Sequence, residues 1–350
     1  MLRPLKSQTF VRPFSAVVRM ASAATSRQAA NKQPAISVVV PVLNGMRFLP
    51  ITLPTLLAAG RRVGGIEIIY VDNGSTDGSR EFLKSRESEG LRTQYVEGGT
   101  IAGMRNSGAR QSSGTYLSFI DSDCSVPESY FEEAVEVLRS TGAAATGCEI
   151  DVPENPHWLE AAWHDLHYFG RDRFVPYLNS GNFFVSRAAF QAVGGFREDM
   201  VTGEDAEIGK RLVSAGHRIF ACPRVKAIHL GNPKSIREFY RRNVWHGLGM
   251  FGTVSWKNLD RPTAMLAVHL LATILGIVAL FSAQVPGVTR LLIAIGLQLV
   301  APVATVIYRG MKTQQWRSAP IGVPLYWLYY WARAYALAIV ALGLSERFRK

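Results

Sequence analysis

The chain has 350 residues, enough for one catalytic domain of ordinary size with appended segments, and its 48% hydrophobic content supplies a large core. A net charge of +12 would suit nucleic acid if it covered the globular part, but residues 36–233 carry 24 acidic against 19 basic side chains. The excess positive charge lies in 1–35, 234–262 and 286–350, beside apolar stretches, which excludes a nucleic-acid groove and points to an anionic membrane surface. Cys124, Cys148 and Cys222 are far apart and form no CxxC, so a disulfide framework and a zinc knuckle are excluded and a reducing compartment fits.

Residues 1–35 hold six Lys or Arg and no acid. Such a stretch resembles an organelle presequence, but it reads better as a disordered basic tail, or as an extension upstream of a start at Met20. From Ile36 short apolar runs alternate with helical segments. Residues 36–40 and 66–71 are β-branched runs of buried-strand type. A helix is predicted over 76–86, capped by Ser75 or Thr76, then a strand over 91–96. A helix over 101–111, a strand over 116–120 and a helix over 127–140 follow. Residues 151–178 are aromatic and irregular. Later strands are predicted over 182–185, 217–221 and 225–229, with a helix over 205–215. This alternation predicts an α/β domain over 36–233 with a mainly parallel sheet and helices on both faces.

Residues 234–261 form a separate amphipathic segment. Ile236, Tyr240, Val244 and Phe251 recur at helical spacing with Arg237, Arg241 and Arg242 between them. It reads either as a helix on the membrane surface, with Arg241, Arg242 and Trp245 membrane-proximal and Trp256 a second anchor, or as a helix packed on the domain. The rest, 262–350, is a membrane region. Residues 262–289 and 291–308 are free of charge and long enough to span a bilayer, which takes ~20 apolar residues. Spans are predicted at about 263–283 and 290–308. A third apolar segment, 319–344, carries Arg333, costly at mid-membrane, and is expected to lie in the interface or re-enter. Basic residues before the first span and after the second (Arg309, Lys312, Arg317) place the catalytic domain on the cytoplasmic side of the cell membrane.

Three acidic motifs carry the chemistry. Asp72-Asn73-Gly74-Ser75-Thr76-Asp77 follows a strand, where ligands of open α/β sheets bind, though the same residues make an ordinary turn. Asp121-Ser122-Asp123 ends the strand over 116–120; two such carboxylates can share Mg2+ or Mn2+ and a bound diphosphate, or form an acidic turn. Gly203-Glu204-Asp205 opens a helix, whose dipole should hold a carboxylate ionised and fit it as a general base, or simply use it as a cap.

Together with Val38-Val39-Val40-Pro41-Val42-Leu43-Asn44, Arg105-Asn106-Ser107-Gly108, Gly114-Thr115-Tyr116 and Val193-Gly194-Gly195-Phe196, these motifs occur in the order of a family 2 glycosyltransferase. From Ile36 to about Gly231 the chain resembles that family, in its membrane-bound bacterial form, with the GT-A fold. The resemblance implies donor-binding residues Pro41, Asn44, Asp72, Arg105, Asn106 and Asp121. It implies Asp121, Asp123 and His229 as ligands of Mg2+ or Mn2+, and Asp205 as base with Glu204 its neighbour or substitute. The implied reaction is inverting transfer from a UDP- or GDP-sugar to a hydroxyl on a lipid-linked or glycan acceptor. Membrane lipids are expected partners and nucleic acid is not. Where processive members carry QxxRW this chain has Tyr240-Arg241-Arg242-Asn243-Val244-Trp245, without the Gln spacing, which argues against polymer synthesis. A polyprenyl-phosphate acceptor is the alternative, needing no base. A nucleotidyltransferase would need a glycine- and lysine-rich loop after the first strand, and a non-catalytic scaffold would have lost its acidic motifs.

Overall fold

The computed structural model describes residues 35–253 and 261–344, without the side chains of 250–253. The basic tail up to residue 34, Trp256 and the last basic residues therefore lie outside the described residues.

Strand β1 (Ile36–Val42) is buried at every position. Helix α1 (Leu49–Arg62) follows, burying Leu49, Leu53, Leu56 and Ala59 on one face. From sequence this stretch is assigned no element; it holds Pro50 and Pro54, residues unfavourable inside a helix. Pro50 instead occupies the first turn, where its missing N–H costs nothing, and Pro54 is tolerated inside. Strand β2 (Glu67–Asp72), helix α2 (Ser79–Ser85), strand β3 (Leu91–Tyr95), helix α3 (Ile101–Gln111) and strand β4 (Tyr116–Ile120) match the expected alternation. Helix α2 starts later than predicted: Gly78, with φ +92°, precedes it, and neither Ser75 nor Thr76 caps it.

Next come β5 (Cys124–Ser125), α4 (Tyr130–Thr141), β6 (Ala145–Gly147), α5 (Trp158–Asp165), β7 (Arg173–Val175), β8 (Asn182–Ser186), α6 (Arg187–Ala192), α7 (Glu204–Ser214), β9 (Ile219–Ala221) and β10 (Ile228–His229). The eight-stranded sheet has the order β3-β2-β1-β4-β8-β6-β9-β7. Its first four strands are parallel, as expected. Beyond β4 it is mixed, because β8 runs antiparallel to both β4 and β6, and β7 antiparallel to β9. Val38, Val40 and Val42 pack into one apolar layer with α1 and α4, and Val39 into the opposite layer with α3, so helices do cover both faces. The carboxyl ends of β1, β2 and β4 share one edge, which therefore gathers the loops after residues 42, 72 and 120.

The chain continues into helix α8 (Ile236–Thr253), α9 (Arg261–Leu280), α10 (Gly287–Thr313) and α11 (Ala319–Ala341). Helices α9 and α10 are long and apolar enough to cross a membrane, and their outer faces expose Leu271, Ile274, Val278, Phe281, Leu291 and Leu292. Helix α11 is the third apolar segment, and it lies on α8 and α10. Residues 151–178 are more regular than the sequence implied, because α5 docks on α11. The ring of Trp163 lies 4.8 Å from Phe239 and 5.2 Å from Tyr326, Ser318 Oγ donates to Asp165 at 2.6 Å, and His167 Nε2 is 3.1 Å from the Tyr326 hydroxyl.

Asn182 fixes the junction of the two halves of the sheet: its Nδ2 donates to the carbonyls of Cys148 and Val225, and its Oδ1 accepts from Tyr130. This requires Gly147, where a Cβ would lie 2.2 Å from the Asn182 carbonyl oxygen. Gly147→Ala is therefore expected to lower stability by about 1–3 kcal/mol, measured by thermal unfolding in detergent.

Candidate active site

The site is built around a buried arginine. Arg105, from α3, is 1% exposed. One terminal nitrogen donates to Asp121 Oδ1 at 2.6 Å and the other to Glu204 Oε1 at 2.8 Å. Burial alone would lower its pKa, but the charges of Asp121 and Glu204 outweigh that and raise it. Glu204 Oε1 also accepts from Ser180 Oγ at 2.8 Å. The next residue on α3, Asn106, grips the acceptor-side loop, its amide exchanging hydrogen bonds with both backbone groups of Phe196 and donating to Glu198. Arg105 and Asn106, expected at the donor, thus sit beneath the site and hold its two sides together.

Glu204 is occupied by this network, which leaves Asp205 as the available carboxylate at the start of α7. Asp205 is half-buried, and its Oδ1 accepts from the Ala206 N–H at 2.7 Å. Burial, then the charge of Glu204, push its pKa up to about 7, against the opposing pull of Ala206 N–H and Arg105. This upward direction runs against the helix dipole at the start of α7, which by itself favours the ionised carboxylate. A group titrating near neutrality is instead poised to accept and release a proton.

The second constellation depends on the two-stranded β5–β10 ladder, which pairs His229 with Cys124. It brings His229 Nε2 to 3.3 Å from Asp123 Oδ2. The candidate donor atoms of Asp123, Cys124 and His229 all lie within 4.8 Å of one another. Burial raises the pKa of Asp123 and lowers that of His229, and it pushes the Cys124 thiol well up, leaving sulfur protonated. Of the three, the carboxylate and the imidazole are the oxygen and nitrogen donors that suit Mn2+ or Mg2+, and the soft thiol is not. Asp121, expected as a further ligand, is engaged by Arg105 and lies outside this group. Arg242 of α8 reaches the same place, with one terminal nitrogen 3.2 Å from His229 Nε2 and the other donating to the Gly231 carbonyl. Of the three residues expected to face the membrane, Arg241 and Trp245 are exposed while Arg242 turns into the site.

The loops after β1 and β2 are stitched together. Asn44, at φ +52°, accepts from Thr76 N–H and donates its own N–H to Ser75 Oγ; Asp77 accepts from Met46 N–H and from Ser79. Pro41 is buried on β1. Asp72 is 0% exposed, its Oδ1 accepting from Ser75 N–H and its Oδ2 lying 3.4 Å from Arg80 Nε. The residues not anticipated are chiefly glycines. A Cβ at Gly181 would lie 2.4 Å from Asp121 Oδ2, and one at Gly231 would lie 2.0 Å from Asp123 Oδ2. Their only sequence signal is position, Gly181 just before β8 and Gly231 just after β10.

A sheet of this order, with acidic pairs at the carboxyl edge of its parallel half, defines a GT-A glycosyltransferase. The chain belongs to glycosyl transferase family group 2, whose model matches residues 116–345, and the model for glycosyl transferase family 2 matches residues 37–194. It is 26% identical over 210 residues to glycosyltransferase AglE of Haloferax volcanii, covering 57% of this chain and 68% of that one. It is 31% identical over 222 residues to validoxylamine A glucosyltransferase of Streptomyces hygroscopicus subsp. jinggangensis, 52% of each, so the chain spans about half the length of that relative. In structure it resembles the mannosyltransferase PcManGT from Pyrobaculum calidifontis, solved with GDP-Man and Mn2+, at a TM-score of 0.55 and 17% identity, over 91% of this chain and 95% of that one.

Removing the cation from between Asp121 and Glu204 would leave two carboxylates without it. Arg105→Gln is expected to cost about 3–5 kcal/mol, measured by thermal unfolding of the full chain in detergent.

Proposed function

We propose that the protein is a metal-dependent, inverting glycosyltransferase that moves a sugar from a UDP- or GDP-sugar to a hydroxyl of a lipid-linked or glycan acceptor at the cytoplasmic membrane face. The observation that carries this reading is the division of labour between adjacent carboxylates: Glu204 is pinned by Arg105 and Ser180, and Asp205 is left free with a pKa near 7. A phosphate acceptor would need no such base.

Asp205 takes the proton of the acceptor hydroxyl as that oxygen bonds to the anomeric carbon, and the bond from that carbon to the diphosphate breaks on the opposite face. Asp123 and His229 would hold Mg2+ or Mn2+, which when bound neutralises charge developing on the leaving diphosphate. Arg242 adds a fixed positive charge at the same place, and Arg105 keeps Asp121 and Glu204 in position while contributing no proton itself. Pro41, Asn44 and Asp72 shape the nucleotide end of the cleft. The binding of GDP-Man and Mn2+ by the structurally similar mannosyltransferase supports this assignment of donor and metal.

Nucleotide release from a panel of nucleotide-sugars is the direct test. Release should need Mg2+ or Mn2+ and stop in chelator. Asp205→Asn should slow transfer about 10²- to 10⁴-fold while donor binding persists. Because the base must be deprotonated, kcat/KM should rise with pH through about 7 and level off above it. Glu204→Gln removes the like charge and should move that limb to lower pH. A flat profile across this range, with Asp205→Asn fully active, would sink the assignment.

The proposed orientation rests on the two apolar helices and the basic residues bounding them. The three native cysteines are buried, so introduced ones report cleanly. A cysteine at Gln284 should be labelled from outside intact cells and one at Arg110 should not; the reverse pattern overturns the orientation.

A further inference from the structure

Helix α8 brings three features together within two turns. At Arg242 it meets the Asp123–His229 pair. At Gly247 it meets α11: a Cβ there would lie 2.5 Å from Ala336 Cβ and 3.3 Å from Arg333 Cδ. At Gly249 it meets the turn before α7, where a Cβ would lie 2.0 Å from the Thr202 carbonyl oxygen, one residue before the Gly203 that precedes Glu204 and Asp205. Arg242 and Gly249 share one face of α8, and the side chain of Arg333 lies against Gly247 on another face, at a level along the helix between the two.

Arg333 is the sole charge in an apolar helix, and it lacks the partners that buried charges have. Its Nε and Nη1 are buried with no hydrogen-bond partner, and its Cζ lies 4.8 Å over the ring of Tyr329. Arg105 is paired with two carboxylates, whereas no carboxylate among the described residues forms an ion pair with Arg333. His246 lies beside it: burial, then the charges of Arg242, Arg333 and His229, push that imidazole down to about 3, so it is neutral and offers one donor and one acceptor. Arg242 is balanced by Asp123, but Arg333, further along α8 beside the neutral His246, has no described carboxylate paired with it, which makes that end complementary to an anion. A guanidinium offers the paired donors that match phosphate oxygens.

We propose that Arg333, with His246 beside it, forms a subsite for the phosphate of a lipid-phosphate acceptor, holding the lipid at α11 while the hydroxyl of its attached sugar reaches Asp205. The inference rests on the glycosyltransferase reading and narrows its acceptor: a soluble glycan carries no phosphate to satisfy Arg333, and the apolar helix that carries this arginine packs on α10, where a lipid chain can lie alongside. It also gives Arg333 a purpose that packing does not, since no carboxylate among the described residues neutralises it.

The test uses the full chain, purified in detergent, with retention of added lipid read by native mass spectrometry. The probes are an isoprenyl phosphate, the same isoprenol without phosphate, phosphatidylglycerol and inorganic phosphate. Wild-type protein should retain the isoprenyl phosphate and not the isoprenol. Arg333→Met should weaken retention at least about tenfold, the loss expected of a charged hydrogen bond, with Arg333→Lys intermediate. Without lipid, Arg333→Met should unfold at the same temperature as wild type or higher, because no partner is stranded. Unchanged retention in Arg333→Met, or a loss of lipid-free stability, overturns the subsite. Equal retention of phosphatidylglycerol, or displacement of the lipid by inorganic phosphate, overturns its assignment to the acceptor. Failure of the underlying reading is separate: wild-type protein would then release no nucleotide from any sugar donor.

Discussion

The site depends on one buried cation. Arg105 takes hydrogen bonds to Asp121, at the end of β4, and to Glu204, at the start of α7. These carboxylates come from chain segments far apart in sequence, and without the cation their mutual repulsion would open the cleft between the donor and acceptor sides. The adjacent Asn106 fastens the Phe196 loop that leads into α7, so two consecutive residues of one helix position the whole acceptor side. Breaking such a pair costs far more than forming it contributes, because what remains is an uncompensated buried charge. The return on this arrangement is geometric. It commits Glu204, and by placing that fixed negative charge next to Asp205 it tunes the one carboxylate left free.

The parallel half of the domain was legible because β1, β2 and β4 are largely apolar runs buried on both faces, a pattern read without knowing the partners. Two of the acidic motifs were legible because they sit at the ends of β2 and β4, and the third because it opens α7. What failed to show was whatever depends on close approach between distant segments. Helix α1 went unassigned; it holds Pro50 and Pro54, which are unfavourable inside a helix and which the first turn and the packing of Leu49, Leu53 and Leu56 accommodate. Strand β8 reads like any other apolar strand, and nothing local says that it will insert antiparallel between β4 and β6. The destination of Arg242 was invisible for the same reason: it shares helical spacing with Arg241, and only the β5–β10 ladder, by carrying His229 under α8, separates the two.

Glycine positions express this constraint most directly. Gly181 and Gly231 let the two carboxylates of Asp121-Ser122-Asp123 lie against neighbouring backbone, and Gly247 and Gly249 let α8 lie against α11 and against the turn before α7. None of these four glycines marks a turn that a local reading would find. Each marks a surface where two elements touch with no room for a methyl group, and together they set the spacing of the cleft.

The aromatic stretch around α5 has a comparable role on the membrane side. From sequence it reads as aromatic and irregular, but Trp163 is wedged among Phe239, Tyr326 and Tyr329, and Asp165 and His167 are hydrogen-bonded to α11. A segment held by that many rings cannot open and close as a unit without unpacking the joint between the catalytic sheet and the apolar helices. Closure over substrate must then come from elsewhere. The loops after β1 and β2 are also tied to each other by Asn44, Ser75 and Asp77. What remains is a cleft whose two sides are set by Arg105 and whose floor is set by α8, with α11 packed on the same helix. In such a frame the turn before Asp205, the Asp123–His229 pair and the apolar helix α11 keep fixed distances from one another, because all three are registered against α8.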